Sequence, residues 1–339
     1  MAEEVGYETY SLGDVALQKG GTLPDAKLAY KTYGTLNADK SNVIVCPIGC
    51  PGVHTDYTWF IGKDKALDPD VYFIIVPCLL GNGESSSPSN TPAPNHKSNF
   101  PNVTIYDNVT LQHRFITSHF GITNIKLVVG WSVGGIQTYQ WGCLYPDMVE
   151  RIAPLCGSAK TAPHNFVFLE GAKAALKNDA AWNGGMYDSN PEKAMRAVGR
   201  VWAGWAVSQP YYRQELWRKF GFESVEGFLV GFWEGFFCSK DANNLLALIW
   251  TWQNADISDN DTFNGDFAKA LGAIKAKAVV MPGARDLYFP PEDNEEEVKL
   301  MPDAKVAVIP GVSGHMSAGG INGDDVEFID GQLKELLTR

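Results

Sequence analysis

Short apolar, β-branched runs punctuate the chain, each closed by glycine, proline or a polar residue: "NVIVCPIG" (42–49), "VYFIIVPC" (71–78), "IKLVVG" (125–130), "RIAPLCG" (151–157), "AKAVVMPG" (276–283) and "AKVAVIPG" (304–311). Their apolarity is continuous rather than alternating, which predicts strands covered on both faces, as in a parallel sheet. Helix-like stretches such as "YDNVTLQHRFITSHFG" (106–121) stand between several of them, the alternation of βαβ units. The pattern predicts an α/β protein with an open, mostly parallel central sheet and helices on both faces.

The rhythm breaks once. From about Ser158 to Leu271 strand-like runs vanish, helical patterns take over, and seven of the ten tryptophans fall here: Trp182, Trp202, Trp205, Trp217, Trp233, Trp250 and Trp252. Strand-like segments resume afterwards. A helical insertion between two strands of one sheet accounts for this, with residues 1–157 and 272–339 as the core domain and 158–271 as a cap. Such a cap would lie over the carboxyl edge of the sheet, where ligands bind in open α/β folds.

Composition removes several function classes. A chain of 339 residues, 45% hydrophobic and 20% charged, can bury a large core. Its 28 Lys plus Arg against 39 Asp plus Glu give a formal net charge of −11, and no basic run is present to follow a phosphate backbone, so nucleic acid is not an expected partner. The opening "MAEEVGYETY" has neither the positive start nor the apolar core of a signal peptide, and no apolar run approaches the ~20 residues needed to cross a bilayer. A soluble, cytoplasmic protein without a membrane partner is expected, with a homodimer as the candidate assembly. The six cysteines (Cys46, Cys50, Cys78, Cys143, Cys156, Cys238) lack paired metal-type spacing and read as reduced, with no metal and no cofactor implied. The "NVT" sequons at Asn102 and Asn108 mean little without secretion.

Chemistry enters at "GWSVG" (130–134), which fits G-x-S-x-G and stands between an apolar strand and the helix-like "GIQTYQWGCLYPD" (135–147). Serine also caps helices, so Ser132 needs partners to mean more. In a strand, sharp turn, helix context the motif exposes the serine hydroxyl, and side chains at Gly130 and Gly134 would clash as backbone and helix close up. A bare hydroxyl is a poor nucleophile; it needs a histidine to take its proton and a carboxylate to orient that histidine. Of the six histidines only His315 follows the last strand-like run, in "PGVSGHMSAGG" (310–320), and Asp286 lies just beyond the preceding strand in "VVMPGARDLYFPPED" (279–293). The order Ser132, Asp286, His315 is that of the α/β-hydrolases. The oxyanion of a tetrahedral intermediate needs fixed donors. The backbone N–H of Val133 is one candidate, and the loop "CPIGCPGVH" (46–54) offers Gly49 or Cys50 as the second.

Beyond these elements the chain resembles the homoserine O-acetyltransferase family of α/β-hydrolases nearly end to end. The resemblance is carried by "IGKDKALDPDVYFIIVPCLLGNGESSSPSN" (61–90), "FPNVTIYDNVTLQHRFI" (100–116), "GWSVGGIQTYQW" (130–141), "AAWNGGMYDSNPEKAMRAVGR" (180–200), "DANNLLAL" (241–248), "RDLYFPP" (285–291) and "SGH" (313–315). It implies that Ser132 forms an acyl-enzyme with Asp286 and His315 as its partners, and that an acyl ester such as acetyl-CoA donates the group. The family's cap arginine, which holds the amino acid, matches Arg200 as a candidate substrate contact, and Tyr288 within the aspartate motif is another.

Three departures redirect the substrate. Where homoserine-acting members follow the histidine with an aspartate that binds the amino group, this chain has Met316; where they place a cap tyrosine, it has Val207; and Trp131 stands where the family has glycine. Losing the ionic partner of a buried ammonium costs several kcal/mol of recognition. Trp131 and the aromatic cap point instead to an apolar pocket. The sequence thus leads to a serine hydrolase of small or moderately apolar carboxylic esters, with a small-molecule ester or acyl donor as its partner. The alternative is an acyltransferase acting on an alcohol other than homoserine.

Overall fold

The computed structural model describes residues 6–339 and begins with a hairpin that the apolar runs do not disclose. β1 (Glu8–Ala16) and β2 (Thr22–Tyr33) pair antiparallel. Leu23, Ala26 and Leu28 of β2 are buried while Asp25 and Lys27 between them are exposed, the inward and outward division of a strand covered on one face. Register shifts around Gly13 and a positive φ at Asp25 break that alternation, as bulges do.

The six apolar runs supply the other strands: β3 (Val43–Val45), β4 (Phe73–Pro77), β5 (Leu127–Trp131), β6 (Arg151–Leu155), β7 (Lys277–Val280) and β8 (Ala304–Val306). One eight-stranded sheet results, in the order β1-β2-β4-β3-β5-β6-β7-β8, with β3 to β8 parallel and the hairpin antiparallel at one edge. Every residue of β3 and β4 is buried, which is why these strands read as unbroken apolar runs.

α1 (Ile105–Phe120) starts at a reciprocal cap between Thr104 and Asp107 and stops at Gly121, whose φ of 62° ends the helix. α2 (Val133–Leu144) packs on β5, β6 and α1 and is buried along all but its last residue. Between β6 and β7 the regular elements are helical: α3 (Pro163–Lys177), α4 (Glu192–Ala206), α5 (Gln209–Arg213), α6 (Val225–Phe228), a π-helical turn (Leu229–Glu234), α7 (Gly235–Cys238), α8 (Ala242–Gln253) and α9 (Phe267–Gly272). α10 (Pro291–Val298) and α11 (Gly323–Thr338) complete the chain.

Strand β3 lies between β4 and β5, so the chain direction across the sheet reverses there. The loops leaving β3 and β5 therefore diverge to open a crevice at the carboxyl edge. Among the described residues no helix is long and apolar enough to cross a membrane. Residues 1–5 of the opening that bore on the signal-peptide reading lie outside the described residues.

Candidate active site

Ser132 sits where β5 turns into α2, at φ 62° and ψ −124°, a conformation that costs a non-glycine residue on the order of 1–3 kcal/mol. Although it occupies the N-cap position, its side chain makes no capping hydrogen bond, and its buried Oγ has no partner among the described residues. A capping role therefore does not account for it. The glycines act as their spacing predicts: a Cβ on Gly130 would lie 2.3 Å from the Gly134 carbonyl oxygen, and one on Gly134 2.2 Å from the Pro47 oxygen. Tyr57, which the sequence reading missed, ties the turn to the loop after β3: its hydroxyl accepts from the Trp131 N–H at 2.7 Å and donates to the Pro47 carbonyl at 2.9 Å.

Asp286 and His315 come from the loops after β7 and β8. His315 Nδ1 lies 2.8 Å from Asp286 Oδ2, and Asp286 Oδ1 accepts the N–H groups of Tyr288 at 2.8 Å and Phe289 at 3.2 Å. Both side chains are buried. With one carboxylate oxygen fixed by backbone, the other can orient the imidazole so that Nε2 is the nitrogen left for proton transfer. Aromatic rings enclose that imidazole: Trp131 stacks on it at 5.3 Å between centroids and Tyr288 meets it edge-on at 4.7 Å. Trp131 also donates its indole N–H to the His315 carbonyl at 3.2 Å.

Ser132 and His315 line one cavity of about 210 Å³, together with Gly49, Cys50, Trp131, Tyr288 and Met316. Trp202, Phe232, Trp233, Phe236 and Trp252, from the helical stretch between β6 and β7, line it as well. Gly49 is packed against the elbow, where a Cβ would stand 3.3 Å from that of Ser132. Neither the Gly49 nor the Cys50 backbone N–H is engaged among the described residues, so both stay available as donors beside Val133. Behind that loop, Glu84 holds His54 through its ring at 2.6 Å and its backbone N–H at 3.0 Å, a brace with no sequence signal of its own. Asp56 lines the cavity as well, its carboxyl pushed up from the usual range by burial.

Arg200 is not brought to this cavity. Its side chain, 43% exposed, pairs with Glu226 and with the nearly buried Glu234 on the outer side of α4, and an arginine so engaged has no fork left for a substrate carboxylate. Val207 is buried against the turn that carries His315.

Cys156, Asp286 and His315 place one donor atom each within 4.8 Å of one another. The His315–Asp286 hydrogen bond with the Cys156 thiol packed beside it produces this spacing by itself, and burial and the neighbouring carboxylate push that thiol well above its ordinary value.

The model for the α/β-hydrolase fold matches residues 42–318. The ethyl acetate hydrolase of Pseudomonas veronii is 38% identical over 335 residues, covering 98% of this chain and 95% of the relative. The homoserine O-acetyltransferase of Chlorobium chlorochromatii is 32% identical, covering 87% and 86%. A solved structure of an acetylester hydrolase from Corynebacterium glutamicum superposes with a TM-score of 0.96 at 41% identity, covering 98% of this chain and 96% of that one.

Proposed function

The chain belongs to the α/β-hydrolase fold family, and from that premise we propose that it is a serine esterase hydrolysing small, uncharged carboxylic esters. Its relatives include both esterases and homoserine acetyltransferases, and the observation that carries the esterase reading is the position of Met316. It lines the cavity beside Ser132 and His315, at the place where homoserine-acting members would present a carboxylate to an ammonium group. A thioether cannot compensate a buried cation.

In the proposed mechanism Ser132 Oγ attacks the ester carbonyl as His315 Nε2 takes its proton, and Asp286 stabilises the imidazolium. The oxyanion is held by the N–H of Val133 and by that of Gly49 or Cys50. Collapse breaks the bond to the alcohol oxygen, which leaves with the proton from His315. Water then enters, gives a proton to the same nitrogen and attacks the acyl-enzyme; release of the acid restores Ser132. Acyl transfer to another alcohol would use the same acyl-enzyme and differ only in which hydroxyl attacks. Residues 158–271 act as the cap over a core of 1–157 and 272–339, and their aromatic side chains make the cap side of the pocket apolar.

A fluorophosphonate probe followed by peptide mass spectrometry tests this reading. One adduct per chain on Ser132 is expected, with none on Ser132→Ala. An adduct elsewhere, or none on folded protein, overturns the assignment.

A further inference from the structure

Building on the esterase reading, we propose that the Tyr288 hydroxyl donates a hydrogen bond to a second oxygen of the substrate, so that the site favours esters carrying an ether or carbonyl oxygen beyond the scissile carboxyl.

Three observations lead there. Tyr288 is 2% exposed and lines the cavity with Ser132 and His315, yet its hydroxyl has no hydrogen-bond partner among the described residues. The other buried tyrosines of the floor are satisfied: Tyr57 by Pro47 and Trp131, and Tyr139 by Glu297 at 2.8 Å. An unmet buried hydroxyl is unfavourable, and phenylalanine would fill the same space without that cost.

The ring is packed by aromatic neighbours on three sides. It is held edge-on to His315 at 4.7 Å and to Trp252 at 5.5 Å, and lies against Phe168 at 4.9 Å. Burial and the nearby Asp286 charge hold the phenol well above its ordinary value, so the group is a neutral O–H, able to donate. The Trp252 indole N–H, on the same wall, is likewise buried without a partner. Pockets that orient small ligands do so with a few convergent polar groups in an apolar lining, and these two donors lack only an acceptor.

The experiment uses two pairs of esters in which one oxygen replaces one methylene. On the alcohol side, 2-methoxyethyl acetate is compared with butyl acetate; on the acyl side, ethyl methoxyacetate with ethyl butanoate. In at least one pair, Tyr288→Phe should lower kcat/KM for the oxygen-bearing ester at least fivefold more than for its hydrocarbon partner, a difference of about 1 kcal/mol. Taking the ratio of ratios removes both intrinsic reactivity and any general loss of packing. Equal losses on all four esters would make Tyr288 a structural group, and no loss would make its hydroxyl idle; either result overturns the proposal. Should Tyr288→Phe fail to fold, the wild-type preference normalised to hydroxide rates decides, and its absence from both pairs overturns the proposal. Turnover of the hydrocarbon esters without discrimination defeats this inference alone, whereas no turnover of any of the four defeats the esterase reading and this inference with it.

Discussion

On the sheet side of the cavity, Gln137 donates to the Ile48 carbonyl at 2.8 Å and accepts from Gln112 at 2.7 Å, which in turn accepts from the Trp141 indole at 3.1 Å. On the cap side, Trp202 meets Phe168 at 4.9 Å and Phe237 at 5.0 Å between centroids, and the arginines Arg196 and Arg200 turn outward to Glu192, Glu226 and Glu234. Hydrogen bonds weaken steeply with angle and distance, whereas aromatic pairs are satisfied over a range of about 4.5–7 Å. The floor is thus suited to holding reacting atoms in register, and the cap to closing a neutral space whose exact shape can vary. On the esterase reading proposed above, chemistry belongs to the first region and fit to the second.

That division is most exposed to substitutions at the floor. Ser132→Ala and His315→Ala should each lower kcat by at least roughly 10⁴-fold, and the double variant should lose little more, because the members of a triad act as a unit. Asp286→Asn should be equal or milder. A cap change such as Trp202→Phe should alter kcat/KM by no more than roughly a hundredfold, the range of a hydrophobic pocket contact. Steady-state kinetics on a short acetate ester measures all of these. Additive losses at Ser132 and His315 would place the nucleophile elsewhere, and a cap variant as damaging as Ser132→Ala would dissolve the contrast between the two regions.

The same contrast separates what could be read in the sequence from what could not. The parallel strands were legible because the central ones, β3 and β4, are buried at every position and so apolar throughout, while β6, β7 and β8 keep apolar runs interrupted only by Arg151, Lys277 and Lys305. Ser132, Asp286 and His315 were legible as candidates because each follows such a strand, and chain order alone then selects them. The β1–β2 hairpin escaped because one face is solvated and bulges interrupt its period. Tyr57 and the Glu84–His54 brace escaped because their partners are 10 to 74 residues distant and nothing local distinguishes a tyrosine that bridges two loops from one that fills a core. Arg200 was assigned to the pocket by resemblance, and its two glutamate partners, 26 and 34 residues further along, could not be foreseen from the helix that carries it.

The floor can also be probed through Glu297, whose carboxylate accepts from the Ala159 N–H at 2.7 Å, the Tyr139 hydroxyl at 2.8 Å and the Asn294 amide at 2.8 Å. It thereby joins α10 to α2 and to the segment after β6. Burial outweighs those donors and raises its carboxyl to about 7. The folded state thus holds this proton more tightly than the unfolded chain, so its contribution is fully present below about pH 4.5 and is lost as pH rises to about 7. Between those limits the wild type should lose on the order of 3 kcal/mol relative to Glu297→Gln, which cannot titrate there. Urea melts of both proteins from pH 4.5 to 8 give the difference, and its pH dependence is independent of any fixed cost of the amide. A pH-independent difference would mean that the carboxylate stays charged and that the three donors, not burial, control it.

The smallest effect is expected on the outer face of the cap, and it bears on the one assignment that the fold redirected. Arg200 is exposed and shares Glu234 with Arg196, whose guanidinium lies 2.9 Å from the same carboxylate. Removing Arg200 therefore leaves Glu234 paired, and the lost contact with Glu226 is between two exposed groups, where screening by water makes ion pairs weak. Arg200→Ala should leave kcat/KM for neutral acetate esters within about twofold of wild type and move the melting midpoint by less than about 3 °C. Arg196→Ala with Arg200→Ala should cost more than the sum of the two single changes, because only the double variant strands the nearly buried Glu234 without a cation. Thermal melts and ester kinetics on the three variants separate the possibilities. If Arg200→Ala instead raised KM strongly while the midpoint held, the guanidinium would have to reach the cavity during turnover, and the cap would contribute a charged contact to recognition rather than an aromatic wall alone.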